Sequence, residues 1–217
     1  MIQTVLFDLD GTILDTNELI IQSFLHTFEG ITAEPLTRHH IIPNMGRPLV
    51  EQMVFFSGRE QVDDLVAKYR LYNLNRHDEL VQEFPKVRET LAKLHAAGIQ
   101  MGVVTSKIRK TTEMGLKLTG MYDYFGSIVT VEDVEKAKPD PEGIQRALQE
   151  LGADPATALM VGDSHYDIEA AHNAGLPSVG VAWSMKGVDY LLQYAPTHII
   201  HDIEDLLGIV GMEEKKA

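Results

Sequence analysis

Short apolar runs rich in β-branched residues recur along the chain, and a turn and a helical pattern follow each of them. The runs occupy residues 4–7, 100–105, 127–131, 158–161, 178–182 and 197–200. This alternation predicts an α/β fold, a parallel sheet with helices on both faces. Ligands of such sheets bind beyond the carboxyl ends of the strands. Asp8, Ser106 and Asp163 each follow a predicted strand, so we expect them to face one crevice.

The alternation breaks in one long stretch directly after the first strand. Helical patterns occupy residues 17–28, 36–42, 49–56 and 62–72. No convincing strand lies between them, so residues 15–83 are predicted to form an inserted helical domain. Residues 1–14 and 84–217 would then form the α/β core, in which the charged end at 213–217 is predicted to fray.

Composition narrows the range of partners. The 217 residues include 32 acidic and 19 basic side chains, for a net charge of −13. A surface of this charge repels nucleic acids and anionic membranes, so neither is an expected partner. The chain has no cysteine, which excludes disulfides and zinc–thiolate sites. Asp8 interrupts the first apolar run, and no run approaches the length of a membrane span, so the cytoplasm is the expected compartment. No oligomeric state is predicted.

The first candidate chemistry lies in the segment Asp8-Leu9-Asp10-Gly11-Thr12. Two carboxylates spaced by two residues lie on one side of an extended backbone. Keeping like charges at the end of a buried strand is costly unless a cation or a reaction requires them. A solvated turn and a calcium loop are the alternatives. A calcium loop needs further oxygen ligands and a later glycine, which this segment lacks.

Three further polar positions accompany later strands. The hydroxyl of Ser106 could bind a phosphoryl oxygen at a helix N-terminus, although a simple helix cap is the alternative. Lys138 precedes a proline, and it is either a phosphate-binding cation or an exposed loop lysine. Asp163 and Asp167 are spaced to share one helix face. Oxygen ligands without cysteine favour Mg²⁺ over zinc.

These four elements, in this order, resemble the four motifs of the haloacid dehalogenase-like phosphohydrolases, and the insertion resembles the helical C1-type cap of that family. The resemblance implies a Rossmann-like core. It also implies that Asp8 is a nucleophile, which attacks phosphorus to form an aspartyl-phosphate. Asp10 would protonate the leaving group and then activate water.

The same resemblance implies a metal site and a phosphate site. Mg²⁺ would be bound by the carboxylates of Asp8 and Asp163 and by the backbone carbonyl of Asp10. Asp167 would lie next to these ligands and hold them in place without binding the metal itself. The transferring phosphoryl group would be held by Thr12, Ser106 and Lys138.

Longer stretches resemble inorganic pyrophosphatases of the PpaX type, which are close relatives of phosphoglycolate phosphatases. The similar stretches are residues 15–20, 46–51, 105–109, 114–120 and 181–183. The expected substrate is therefore a small phosphate compound, and pyrophosphate in particular. Its second phosphate needs additional cations, and the candidates are Arg47, Lys107 and Arg109. Asn17 is a further candidate for substrate contact.

Other functions remain open at this stage. A phosphatase for a small monoester such as 2-phosphoglycolate could use the same cations to bind a carboxylate. A sugar-phosphate mutase could use the same scaffold. An inactive binding module is disfavoured, because Asp8, Asp10, Lys138 and Asp163 are all present.

Overall fold

The computed structural model describes residues 1–212, so the predicted frayed tail at 213–217 lies outside the described residues. A six-stranded parallel sheet with strand order β5-β4-β1-β6-β7-β8 forms the core. Its strands are β1 (Thr4–Phe7), β4 (Gln100–Val104), β5 (Ser127–Val129), β6 (Ala158–Gly162), β7 (Ser178–Val181) and β8 (His198–Ile200). The predicted α/β fold and all six strand positions are confirmed.

Helices cover both faces of the sheet. They are α5 (Val87–Ala96), α6 (Arg109–Leu118), α7 (Glu142–Leu151), α8 (His165–Asn173), α9 (Val188–Leu192) and α10 (Asp205–Ile209). Successive side chains of a strand point to opposite faces. Accordingly, Val5 and Phe7 of β1 belong to one buried apolar cluster and Leu6 belongs to the other. The central strand β1 is therefore buried on both sides, and its carboxyl end is fixed in place.

The insertion after β1 is helical, as predicted. It contains α1 (Asn17–Phe28), α2 (Arg38–Ile41), α3 (Leu49–Ser57) and α4 (Asp63–Leu80). These helices enclose a third buried apolar cluster of their own. Helix α4 is longer than its apolar pattern predicts, because the buried side chains in its second half, Asn73 and His77, are polar. No helix within residues 1–212 has both the length and the apolar character to cross a bilayer.

A short two-stranded ladder marks the base of the insertion. Strand β2 (Leu14–Asp15) pairs antiparallel with β3 (Gln82–Glu83), so the outgoing and returning chains lie side by side. Each strand has two residues, which is too short for a recognisable alternating pattern. The ladder joins the two parts of the molecule through adjacent backbone segments.

The apolar cluster of the insertion generates a stability prediction. The ring of Phe24 is fully buried, and its centroid lies 4.9 Å from that of Tyr69 and 5.6 Å from that of Phe56. Phe24→Ala should lower the free energy of unfolding by about 3–5 kcal/mol, measured by urea denaturation. Phe55→Ala is the matched control, because Phe55 is 59% exposed, and it should cost less than about 1 kcal/mol. Equal losses would contradict this packing.

Candidate active site

A cavity of about 330 Å³ lies beyond the carboxyl ends of the central strands, between the core and the helical insertion. Asp8 follows β1 directly, and its backbone N–H donates to the carbonyl of Val161, 2.8 Å away, which continues the sheet register. Most of the predicted site residues line this cavity: Asp8, Asp10, Arg47, Ser106, Lys107, Lys138 and Asp163.

A buried group of charges forms the floor of the cavity. The ammonium of Lys138 donates to Asp8 Oδ1 at 2.7 Å, to Asp167 Oδ1 at 2.6 Å and to the carbonyl of Val104 at 2.9 Å. Asp8, Asp163 and Asp167 can each present one carboxylate oxygen so that all three oxygens lie within 4.8 Å of one another. Three buried carboxylates thus lie close together, and two of them bind the same buried ammonium; the group could hold a metal ion.

Burial and mutual repulsion change the pKa values of these groups. Burial raises the pKa of Asp8 to about 7, against the lowering effect of Lys138. Burial and the neighbouring Asp167 and Asp8 also hold the pKa of Asp163 well above its usual range. Burial alone would lower the pKa of Lys138, but Asp167 and Asp8 raise it overall. The Lys138 ammonium therefore stays charged. It does not supply enough positive charge to stabilise the ionised forms of Asp8 and Asp163, whose pKa values remain raised.

Two glycines allow the carboxylates to approach the backbone. A Cβ atom on Gly162 would lie 2.2 Å from Cβ of Asp167, and one on Gly11 would lie 2.6 Å from Oδ2 of Asp163. Any larger residue at either position would displace a carboxylate. Gly11 also has φ = +81°, which other residues rarely adopt.

The start of α8 fixes the orientation of Asp167. The backbone N–H and the hydroxyl of Ser164 both donate to Asp167 Oδ2, at 3.0 and 2.6 Å, and form a capping box. Oδ1 of the same carboxylate accepts from Lys138. Both oxygens of Asp167 therefore already have partners, which fits a supporting position behind Asp8 and Asp163.

Asp10 lies apart from this group of carboxylates. Its carboxylate accepts from the hydroxyl of Thr16 at 2.7 Å and from Lys107 Nζ at 2.9 Å. Thr16 directly precedes α1, but its hydroxyl binds Asp10 and makes no cap hydrogen bond to the helix. Lys107 was predicted to contact substrate. In the structure its charge is paired with Asp10.

Two adjacent residues beyond β4, Thr105 and Ser106, each carry a hydroxyl group, and the two hydroxyl groups have different partners. Ser106 lines the cavity, but its hydroxyl donates to the backbone carbonyl of Gly46 at 3.0 Å. Thr105 also lines the cavity, is 6% exposed, and accepts from the backbone N–H of Lys107 at 3.2 Å. Within residues 1–212 this hydroxyl donates to no acceptor, so its proton is available to an anion. The sequence patterns above do not single out Thr105.

A positional signal could have identified Thr105. Asp8 is the first residue after β1, and Asp163 is the first residue after β6. Thr105 has the same position after β4, whereas Ser106 lies one residue further. Because a step of one residue reverses the direction of a side chain in an extended segment, the equivalent position is Thr105.

Four predicted residues are not among those that line the cavity within residues 1–212: Asp167, which lies next to Lys138, and Thr12, Asn17 and Arg109. Thr12 is fully buried, and its carbonyl accepts from the indole N–H of Trp183. Arg109 donates to Asp133 Oδ2 at 2.6 Å and to the carbonyl of Ile128. The backbone N–H of Asn17 donates to the side chain of Asp15. Their predicted roles stay predictions.

The loop of residues 45–47 packs the insertion against the core. Arg47 Nε donates to the hydroxyl of Tyr166 at 2.6 Å, and Lys186 Nζ donates to the carbonyl of Met45 at 2.7 Å. Burial lowers the pKa of Lys186, against the raising effect of Asp163. Lys186 was not predicted from sequence, because a lysine in a loop far from the motifs carries no local signal.

Comparisons with known proteins agree with this geometry. A family model described as haloacid dehalogenase-like hydrolase matches residues 5–181. Curated proteins named Pyrophosphatase PpaX are similar over nearly their whole length. The Bacillus velezensis protein is 46% identical, with 98% of each chain covered, and a Bacillus cereus protein is 46% identical, with 97% covered. A haloacid dehalogenase-like family hydrolase from Streptococcus pneumoniae superposes with a TM-score of 0.85 at 26% identity, covering 96% of this chain and 98% of the other.

The raised pKa of Asp8 generates a prediction about pH and stability. A carboxyl whose pKa is about 7 when folded and 3.8 when unfolded retains its proton longer in the folded state. In EDTA, the free energy of unfolding should therefore fall as pH rises from about 4 to about 7. Asp8→Asn removes one carboxylate, so it should raise the free energy of unfolding at pH 8 by on the order of 2–4 kcal/mol and flatten the pH profile.

Urea denaturation at pH 5 and pH 8 measures this effect. The exposed residue Asp123 provides the control, and Asp123→Asn should leave both values within about 0.5 kcal/mol of the parent protein. A destabilised Asp8→Asn variant at pH 8 in EDTA would show that the charge on Asp8 is well compensated, contrary to this account.

Proposed function

The chain belongs to the haloacid dehalogenase-like hydrolases, and from that premise we propose that it hydrolyses inorganic pyrophosphate to two phosphates through a phosphorylated Asp8. The observation that carries the proposal is the buried contact between Asp8 and Lys138 on the floor of the cavity. The Asp8 carboxylate is held beside a cation that can bind the oxygens of the phosphoryl group during its transfer. The choice of pyrophosphate is supported by relatives that carry the name Pyrophosphatase PpaX.

In the first proposed step, a carboxylate oxygen of Asp8 attacks one phosphorus atom of pyrophosphate. The bond from that phosphorus to the bridging oxygen breaks, and the electron pair leaves with the other phosphate. Asp10 donates a proton to the bridging oxygen as it leaves. Lys107 and Thr16 hold the Asp10 carboxylate in place for this transfer.

In the second step, Asp10 accepts a proton from water, and the water oxygen attacks the phosphorus bound to Asp8. The bond between phosphorus and the Asp8 oxygen breaks, which restores the carboxylate and releases the second phosphate. Lys138 and the hydroxyl of Thr105 or Ser106 bind the phosphoryl oxygens in both steps.

The residues present fit Mg²⁺. Three buried carboxylates share one directly bound ammonium, so negative charge is in excess at the floor of the cavity, and a divalent cation would offset it. Asp8, Asp163 and the backbone carbonyl of Asp10 would hold it, with Asp167 behind them. When bound, Mg²⁺ would offset the repulsion between Asp8 and an anionic substrate.

The helical insertion serves as a cap in this proposal. Residues 15–83 would form the cap domain, and residues 1–14 and 84–217 would form the core. The cap would close over the substrate and exclude water until Asp8 is phosphorylated. The hinges would lie at residues 12–16 and 80–85, next to the ladder of β2 and β3.

A phosphate-release assay with Mg²⁺ tests the proposed function. Pyrophosphate should be hydrolysed with a higher kcat/KM than 2-phosphoglycolate or a hexose phosphate. Asp8→Asn should lower turnover by at least about 10³-fold because the nucleophile is lost, whereas Asp123→Asn should change it less than about twofold. A higher kcat/KM on 2-phosphoglycolate would refute the substrate assignment. Retained turnover in Asp8→Asn would refute the mechanism.

A second assay separates the two hydroxyl groups beyond β4. Thr105→Val should lower kcat on pyrophosphate by about 10-fold to 10²-fold, because the free hydroxyl proton at the cavity is lost. Ser106→Ala should lower it by less than about fivefold, because its hydroxyl already binds the carbonyl of Gly46. The reverse ranking would assign the phosphoryl contact to Ser106.

A further inference from the structure

Pyrophosphate carries a second phosphate, and the cations predicted to bind it are engaged elsewhere. Lys107 is paired with Asp10 at 2.9 Å, and Arg109 is paired with Asp133 at 2.6 Å. Arg47 donates to a tyrosine hydroxyl of the core. A ligand phosphate would therefore have to compete with existing partners for each of these side chains.

Two other cations line the same cavity. Arg70 belongs to α4 of the insertion, and Lys110 belongs to the first turn of α6 of the core. Over residues 1–212, the structure gives neither side chain a hydrogen bond or an acidic partner. Their neighbours on the same helices differ: Arg76 pairs with Glu79 on α4, and Lys117 pairs with Glu113 on α6.

This contrast matters because acidic residues outnumber basic ones in this chain, 32 to 19. In such a chain, two basic side chains that face a shared cavity without acidic partners keep their full positive potential for an anion. Lys110 also lies near the positive end of the α6 dipole, which adds to that potential. Arg70 and Lys110 therefore make the cavity favourable for a second anionic group.

We propose that Arg70 and Lys110 together bind the phosphate that is not transferred, while Lys138 and Asp8 engage the other end of pyrophosphate. This inference rests on the proposed function and names the subsite for its leaving group. One cation comes from the insertion and the other from the core. The subsite is complete only when the insertion is packed over the cavity, so the second phosphate itself favours the closed arrangement.

Kinetics on two substrates test the subsite. Arg70→Gln and Lys110→Gln should each lower kcat/KM for pyrophosphate by about 10-fold, and the double variant by about 10²-fold. p-Nitrophenyl phosphate has no second phosphate, so its kcat/KM should change by less than about threefold. Arg76→Gln and Lys117→Gln remove cations of the same helices that are paired with glutamates and do not line the cavity, and they should leave kcat/KM for both substrates within about twofold.

An inhibition measurement adds a readout that does not depend on turnover of pyrophosphate. With p-nitrophenyl phosphate as substrate, imidodiphosphate should inhibit the double variant about 10²-fold more weakly than the parent protein. Orthovanadate occupies only the position beside Asp8, so its inhibition constant should change less than about threefold. Equal weakening of both inhibitors, or no change in either, would overturn the subsite. Poor hydrolysis of pyrophosphate by the parent protein would instead refute the proposed function, and the inhibitor comparison would still decide the subsite.

Discussion

The site is organised around buried negative charge that the protein itself does not balance. Lys138 contacts Asp8 and Asp167 directly, whereas Asp163 lies beside these two carboxylates without a direct contact to Lys138 among the described residues. A buried charge that is not fully compensated costs several kcal/mol. The parallel strands β1 and β6 bring Asp8 and Asp163, which follow them, to the same edge of the sheet. The cost is offset when a divalent cation and an anionic substrate are bound together.

Two hydrogen bonds between the insertion and the core use backbone carbonyls of the insertion. Ser106 donates to the carbonyl of Gly46, and Lys186 donates to the carbonyl of Met45. A Cβ atom on Gly46 would lie 3.1 Å from the ring of Tyr166, so the loop can approach the core closely at this residue. Backbone contacts of this type constrain side chains little.

The sequence predicts the fold and the floor of the site well, because both depend on local patterns. Each strand is a short apolar run, and Asp8 and Asp163 directly follow such runs. The cations around the substrate are harder to predict, since their availability depends on partners that are distant in sequence. Arg109 is bound to Asp133, whereas Arg70 lines the cavity without an acidic partner among the described residues. No local pattern distinguishes these two arginines.

The central claim is that Asp8 is phosphorylated by pyrophosphate. Rapid mixing of the protein with Mg²⁺ and pyrophosphate, acid quenching within milliseconds and reduction with borohydride would convert an aspartyl-phosphate to homoserine. Peptide mass spectrometry would then locate the modified residue. The account predicts homoserine at position 8, and none when Mg²⁺ is replaced by EDTA. Release of phosphate with an unmodified Asp8, or with the modification at another residue, would contradict it.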